Sequence, residues 1–258
     1  MSLQLGRALK RGAGLLVSRA GAVVLAAYAA TMLVYQLSFN TLLQPLLAGL
    51  TPPGVGSATP GLVTLPVPGV VAGGLAALAL LTAAVISVVA IRTFVAGERA
   101  HVPRRFLTER MPFAVVNVVV GGIAFALVVG LGTLLLVVPG IVAYVGLLFM
   151  VQFVAVENVN FLTAMRRSWR LTKGNRIRLF LLVVVLLVAI VVATFVVSFG
   201  LGFVLASGSG GLAGVVVAMV NVVATLYLLA VLSDAFVQLR DGIDPSRGTR
   251  PTTDALGV

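Results

Sequence analysis

The sequence predicts an all-α polytopic integral membrane protein with six transmembrane helices, and three observations carry that reading. Of the 258 residues, 60% are hydrophobic and only 10% charged, with a mean hydropathy of +1.16. Soluble domains average about 45–50% apolar and about 25% charged, so this chain is too poor in polar residues to coat itself in water. All 25 charged side chains, 18 basic and 7 acidic, lie outside three neutral blocks: Ala20–Ile91, Met111–Val156 and Leu179–Ser233. These blocks hold 72, 46 and 55 residues. A helical crossing uses about 20 apolar residues, so each block fits a pair.

The expected spans are 15–37, 69–91, 113–138, 140–156, 177–206 and 211–236, within a single transmembrane domain over residues 1–236. Residues 237–258 are expected to form a short flexible cytoplasmic tail. Arg7, Lys10 and Arg11 precede an apolar run, and Ala27-Tyr28-Ala29 is a small-x-small pattern of the kind that signal peptidase cleaves. The run from Ala20 to Leu37 is nonetheless long enough to span, so an uncleaved first span is expected.

Lys and Arg number four before the first span's core, five between spans two and three, six between spans four and five, and three after span six. The other three connections carry none. The positive-inside bias therefore predicts both termini and both basic loops on the cytoplasmic side of the cell membrane. On the other side, Pro139-Gly140 is expected to turn the chain between spans three and four, and Ser207–Gly210 between spans five and six. The first external connection, residues 38–68, is long and holds six prolines. A continuous further helix is not expected there, although Asn40–Leu50 is expected as a short helix on the outer surface.

The segment Phe161–Lys173 reads FLTAMRRSWRLTK. On a helical wheel from Leu162, Arg166, Arg167, Arg170 and Lys173 fall between about 20° and 140°. Phe161, Ala164, Met165, Trp169 and Leu171 take the other half. This predicts a basic interfacial amphipathic helix with Trp169 as an interface anchor and the four cations toward lipid phosphates. Leu9-Lys10-Arg11 precedes span one, and Pro103-Arg104-Arg105 precedes span three, in a similar place. The chain is thus read as a basic helix plus a transmembrane hairpin used three times, about an axis along the membrane normal.

The stretch Pro139–Phe180 resembles the membrane domain found N-terminal to some glycerophosphoryl diester phosphodiesterases, and related stand-alone polytopic membrane proteins of unknown function. The residues that carry the resemblance are Pro139-Gly140-Ile141, Glu157, Arg167-Ser168-Trp169 and Leu171-Thr172-Lys173-Gly174, together with Ala235–Arg240 at the last span. The resemblance implies the membrane fold and not the phosphodiesterase reaction. That reaction belongs to a separate soluble domain with metal-binding carboxylates and histidines, and 22 residues after Phe236 are too few for a catalytic barrel.

Cysteine is absent and His101 is the only histidine, which excludes thiol chemistry and multi-histidine metal sites. His101 reads as an ordinary loop residue. No catalytic residue, metal or cofactor is predicted, and the net charge of +11 sits beside apolar spans rather than on a nucleic-acid-binding surface. Asn117 and Asn221 are the deepest strong hydrogen-bonding residues and are expected to glue helices together. Glu157 and Asp234 are expected to pair with cations at the span ends, Glu157 with an Arg from residues 166–178. The span glycines, Gly69 and Gly73 among them, invite close helix approach. The function expected is non-catalytic: binding anionic or glycerophospholipid headgroups, or scaffolding a protein partner at the membrane. The alternative is a small transporter or channel subunit whose polar path joins Asn117, Asn221 and the external loop.

Overall fold

The computed structural model describes residues 4–50, 63–204 and 210–243. Its helices are α1 (Leu5–Leu16), α2 (Arg19–Leu50), α3 (Gly69–Ala96), α4 (Arg105–Thr108), α5 (Met111–Leu135), α6 (Val137–Gly146), α7 (Met150–Glu157), α8 (Phe161–Thr172), α9 (Arg176–Val204) and α10 (Gly210–Ile243). Six helical stretches are long and apolar enough to cross a membrane: α2, α3, α5, α6 with α7, α9 and α10. No strand occurs among the described residues.

The spans pair as hairpins and arrange in two layers. Over their most apolar stretches, spans two, four and six have 28–56% of residues buried inside the protein, against 11–17% for spans one, three and five. The even spans therefore form the core. Helix α3 packs on both α7 and α10, and α7 meets α10 through Phe153 and Phe236, edge to face at 4.9 Å between ring centres. The odd spans cover this core and turn rows of exposed Val, Leu and Phe outward, such as Val188, Val192, Phe195 and Phe199 on α9.

Three short helices dock against the bundle. Each packs on the second span of the hairpin before it: α4 on α3, α8 on α6 and α7, and α1 on α10 to close the circle. In α1 the buried residues Ala8, Gly12, Leu15 and Leu16 recur at helical spacing and face α10 and its neighbours. Gly12 lies so close to Val231 that a Cβ would overlap its side chain. The Tyr227 hydroxyl donates to the Leu9 carbonyl at 3.3 Å. The three short helices are unequal, since α4 has one turn and α1 and α8 have 12 residues each.

Several expected boundaries are corrected. Span one begins at Arg19, not 15, because the Ser18 hydroxyl accepts from the Gly21 N–H (3.1 Å) and caps α2. It also runs to Leu50 instead of ending near 37, so Asn40–Leu50 is a continuation of α2 and not a separate surface helix. Pro45 lies within it. The returning chain steadies this stretch: Asn40 Nδ2 donates to the Val63 carbonyl (3.1 Å), and the Leu65 N–H donates to Thr41 Oγ1 (2.8 Å).

The reversal between spans three and four lies at Leu136, whose backbone is extended, while Pro139 and Gly140 stand in the first turns of α6. Proline is tolerated there because its missing N–H would have no partner in a first turn. Gly140 presses on Thr133, where a Cβ would collide with the α5 backbone. Gly121 and Gly132 also take close contacts, whereas Gly73, Gly122, Gly130, Gly200 and Gly214 meet nothing within 4 Å. Helix α10 extends seven residues beyond 236, to Ile243. The rest of the expected tail, residues 244–258, and the 205–209 part of the expected Ser-Gly turn lie outside the described residues.

Arg92, one of the five basic residues expected between spans two and three, lies instead within α3 and locks the basic end of the bundle. It is buried, and its guanidinium donates to the Ala155 carbonyl (2.7 Å), the Phe106 carbonyl (2.9 Å) and Asn158 Oδ1 (2.9 Å). It thus joins α3, the segment around α4 and the end of α7. Removing it strands the buried Ala155 carbonyl, at about 1–3 kcal/mol, and takes a donor from two partly buried acceptors. Arg92→Ala is expected to lower the unfolding temperature in detergent strongly, and Arg92→Lys to restore only part, because one ammonium cannot reproduce the planar fork. Equal stability of both variants and the native chain would remove Arg92 from this role.

Candidate functional site

Span four is broken, and the break is what positions α8. The helix stops at Gly146 and resumes at Met150, with Leu147–Phe149 in turn conformation. In hydrocarbon such an interruption must find internal hydrogen-bond partners. Ser168 of α8 supplies two: its hydroxyl donates to the Gly146 carbonyl (2.9 Å) and accepts from the Phe149 N–H (3.1 Å). Thr172, one turn on, also reaches the Gly146 carbonyl at 3.4 Å. Both side chains are fully buried.

Trp169 lies against the same place. A Cβ on Gly146 would overlap its ring, and the Arg176 guanidinium sits 4.2 Å from the ring centre. The face of α8 turned to the bundle therefore runs through Ala164, Ser168, Leu171 and Thr172. Trp169 is 40% exposed, so it packs on span four and Arg176 while part of the residue stays open to the surroundings.

Two asparagines fix the start of α8. Asn160 caps it, accepting from the Thr163 N–H at 2.8 Å. Asn117, buried on α5, accepts from the Phe161 N–H at 2.9 Å and donates back to the Phe113 carbonyl. Asn117 is thus glue between α5 and α8. Asn221 is elsewhere: it is exposed, bonds along its own helix to Val217, and lines a groove between α2 and α10 with Tyr28, Gln36 and Thr225. The two asparagines do not meet.

Glu157, the last residue of α7, pairs with Arg167 of α8. Asp234, buried on α10, pairs with Arg11 of α1 at 3.5 Å and accepts from Gln238 at 2.6 Å. Around the first pair opens a basin of about 890 Å³ between α7, α8 and α10, with Arg167, Arg170 and Arg240 against the single carboxylate of Glu157 on its walls. Phe153, Val156 and Leu171 provide apolar lining. Arg170 has no carboxylate within ion-pair distance among the described residues, and Arg240 reaches only Asp241, at 3.9 Å. Arg166 and Lys173 are exposed outside this basin. Sequence reasoning missed Arg240 as a member, since its 70-residue separation from Arg170 leaves no local pattern. It also passed over Gln152, which is buried on α7 with its Oε1 lacking a hydrogen-bond partner among the described residues.

Ser168→Ala leaves the Phe149 N–H and most of the Gly146 carbonyl's bonding unmet, at a cost of about 1–3 kcal/mol. The expected outcome is a lower unfolding temperature together with a red-shifted emission from Trp169, the chain's single tryptophan. Gly146→Ala is expected to produce the same shift by displacing the ring. Unchanged emission from both variants would contradict the docking described.

No curated protein and no solved structure matches the chain. One family model does match it, over residues 3–240. Its description assigns no activity, and nothing in it refers to the phosphodiesterases. Because the match covers nearly the whole chain, this protein belongs to the family described as a domain of unknown function, DUF7847.

Proposed function

We propose that this is a non-catalytic protein of the cytoplasmic membrane that holds the headgroup of an anionic phospholipid in the basin between α7, α8 and α10, with the basic end of the bundle facing the cytoplasm. The observation that carries the reading is a concave site with three guanidinium groups and one carboxylate. Arg167 spends its charge on Glu157, which leaves Arg170 and Arg240 for a phosphate. Arginine suits that task because its fork presents paired donors to phosphate oxygens. Apolar lining beside the cations suits the glycerol and first methylenes of a lipid better than a free ion. The orientation rests on the distribution of basic residues, all 18 of which lie in one set of connections or at the span ends that border them. A path joining Asn117 and Asn221, as a small transporter or channel subunit would need, draws no support from two residues in separate joints.

Each cation beside an anionic headgroup contributes about 1 kcal/mol, so neutralising two should weaken retention by about 2 kcal/mol, or about thirtyfold. Arg170→Gln with Arg240→Gln is expected to strip co-purified anionic phospholipid in native mass spectrometry. Arg166→Gln with Lys173→Gln should leave it in place. Identical lipid retention by both pairs would refute the site.

The chain has no cysteine, so single introduced cysteines report topology without background. Cysteines at Arg104 and at Arg166 are both expected to react with an impermeant maleimide from the cytoplasmic face only. Labelling of the two from opposite faces would overturn the orientation.

A further inference from the structure

A second cleft lies on the membrane-facing side, away from the basin. It has a volume of about 540 Å³ and is walled by α9 and α10, with the end of α1 closing it on one side. Ala13, Leu16 and Val17 come from α1, and the small residues Ala189, Ala193 and Ala224 create the space between the two long helices. Every lining residue is apolar except Tyr227, whose hydroxyl is already spent on the Leu9 carbonyl. That bond also places Tyr227 at the α1 end of the cleft and Val216 at the far end.

From this geometry we infer that the cleft receives one hydrocarbon chain of an anionic phospholipid whose headgroup rests on α1. Three features select that occupant. First, the eleven steps from Val216 to Tyr227 along α10 span ~16 Å at 1.5 Å per residue, close to the ~15 Å of one leaflet's hydrocarbon. The cleft is as deep as a single lipid chain is long. Second, Ala189 and Ala193 on its α9 wall are exposed and it offers no unpaired polar group, so it fits a methylene chain and disfavours a polar solute. Third, Lys10 stands about 20° from Val17 and about 60° from Ala13 around α1 and is exposed. A cation is thereby set on the strip of α1 that leads into the cleft, where the phosphate of a lipid seated in it would come to rest. The bilayer supplies this ligand in any case; what the cleft adds is a preference for anionic headgroups and a slow exchange.

The test uses the full chain in nanodiscs of mixed phosphatidylglycerol and phosphatidylcholine. Native mass spectrometry is expected to show Ala189→Phe with Ala224→Phe retaining one phospholipid fewer per chain. Arg170→Gln with Arg240→Gln, which empties the basin, should leave this lipid bound, so the two sites fail separately. Retention of the same number by the filled variant would overturn the inference, as would loss of a second protein copy in place of a lipid. If the filled variant does not fold, Tyr227→Trp in a Trp169→Phe background reports the cleft without blocking it. Brominated phosphatidylglycerol is expected to quench this tryptophan at least twofold more than brominated phosphatidylcholine, a difference that Lys10→Gln abolishes. A tryptophan at the lipid-facing Leu187 should be quenched equally by both. Equal quenching at Tyr227→Trp would overturn the inference as well.

Discussion

Backbone groups that leave the helix inside a hydrocarbon phase have no water to turn to, and this requirement governs the basic half of the molecule. Span four breaks between Gly146 and Met150, and the broken ends are satisfied by a hydroxyl from a different helix, Ser168. That one residue makes α8 obligatory: without it the span would carry an unpaired carbonyl and N–H. Once α8 is pinned at its middle by Ser168, at its start by Asn117 and at the end of α7 by Glu157 and Arg167, its cations have fixed places. The basin then follows from the fold of the span, not from a loop that happens to be basic.

Much of the fold was legible in the sequence because the bilayer enforces a simple rule on composition. Neutral blocks long enough for two crossings gave six spans, and the same rule put every cation in one set of connections or at the span ends that border them. Boundaries were less legible where a local signal had a distant answer. Span one runs on past residue 37, where Asn40 and Thr41 are held by the returning chain at Val63 and Leu65, more than 20 residues away. The break in span four was invisible because Leu147, Leu148 and Phe149 are as apolar as any helical stretch; the clue was Ser168 and Thr172, four apart on a helix otherwise read by its charges.

The candidate site divides in the same way. Arg167, Arg170 and Trp169 were found from helical periodicity, since they share one segment. Arg240 could not be, because only the packing of α10 on α7 brings it there. Arg92 carried a signal that charge counting hides: it is flanked by Val88–Ile91 and Thr93–Ala96, so it is a lone cation inside apolar sequence. Such a residue is expensive in a span unless paired, and its three hydrogen bonds are that pairing.

The circular docking of short helices assigns arginines two different tasks. At each junction between hairpins one arginine crosses over: Arg11 to Asp234, Arg167 to Glu157, and Arg92 to the carbonyls of Ala155 and Phe106. Two of these junctions use a carboxylate near the end of an even span. With 18 cations to 7 carboxylates in the chain, such pairing cannot extend far, and most cations are left without an acidic partner. A soluble protein would be destabilised by that self-repulsion. Beside an anionic membrane surface, lipid phosphates can supply the missing anions, which is the physical basis of the reading proposed above. On the lipid-binding reading proposed above, that imbalance is what Arg170, Arg240 and Lys10 would settle with lipid phosphates.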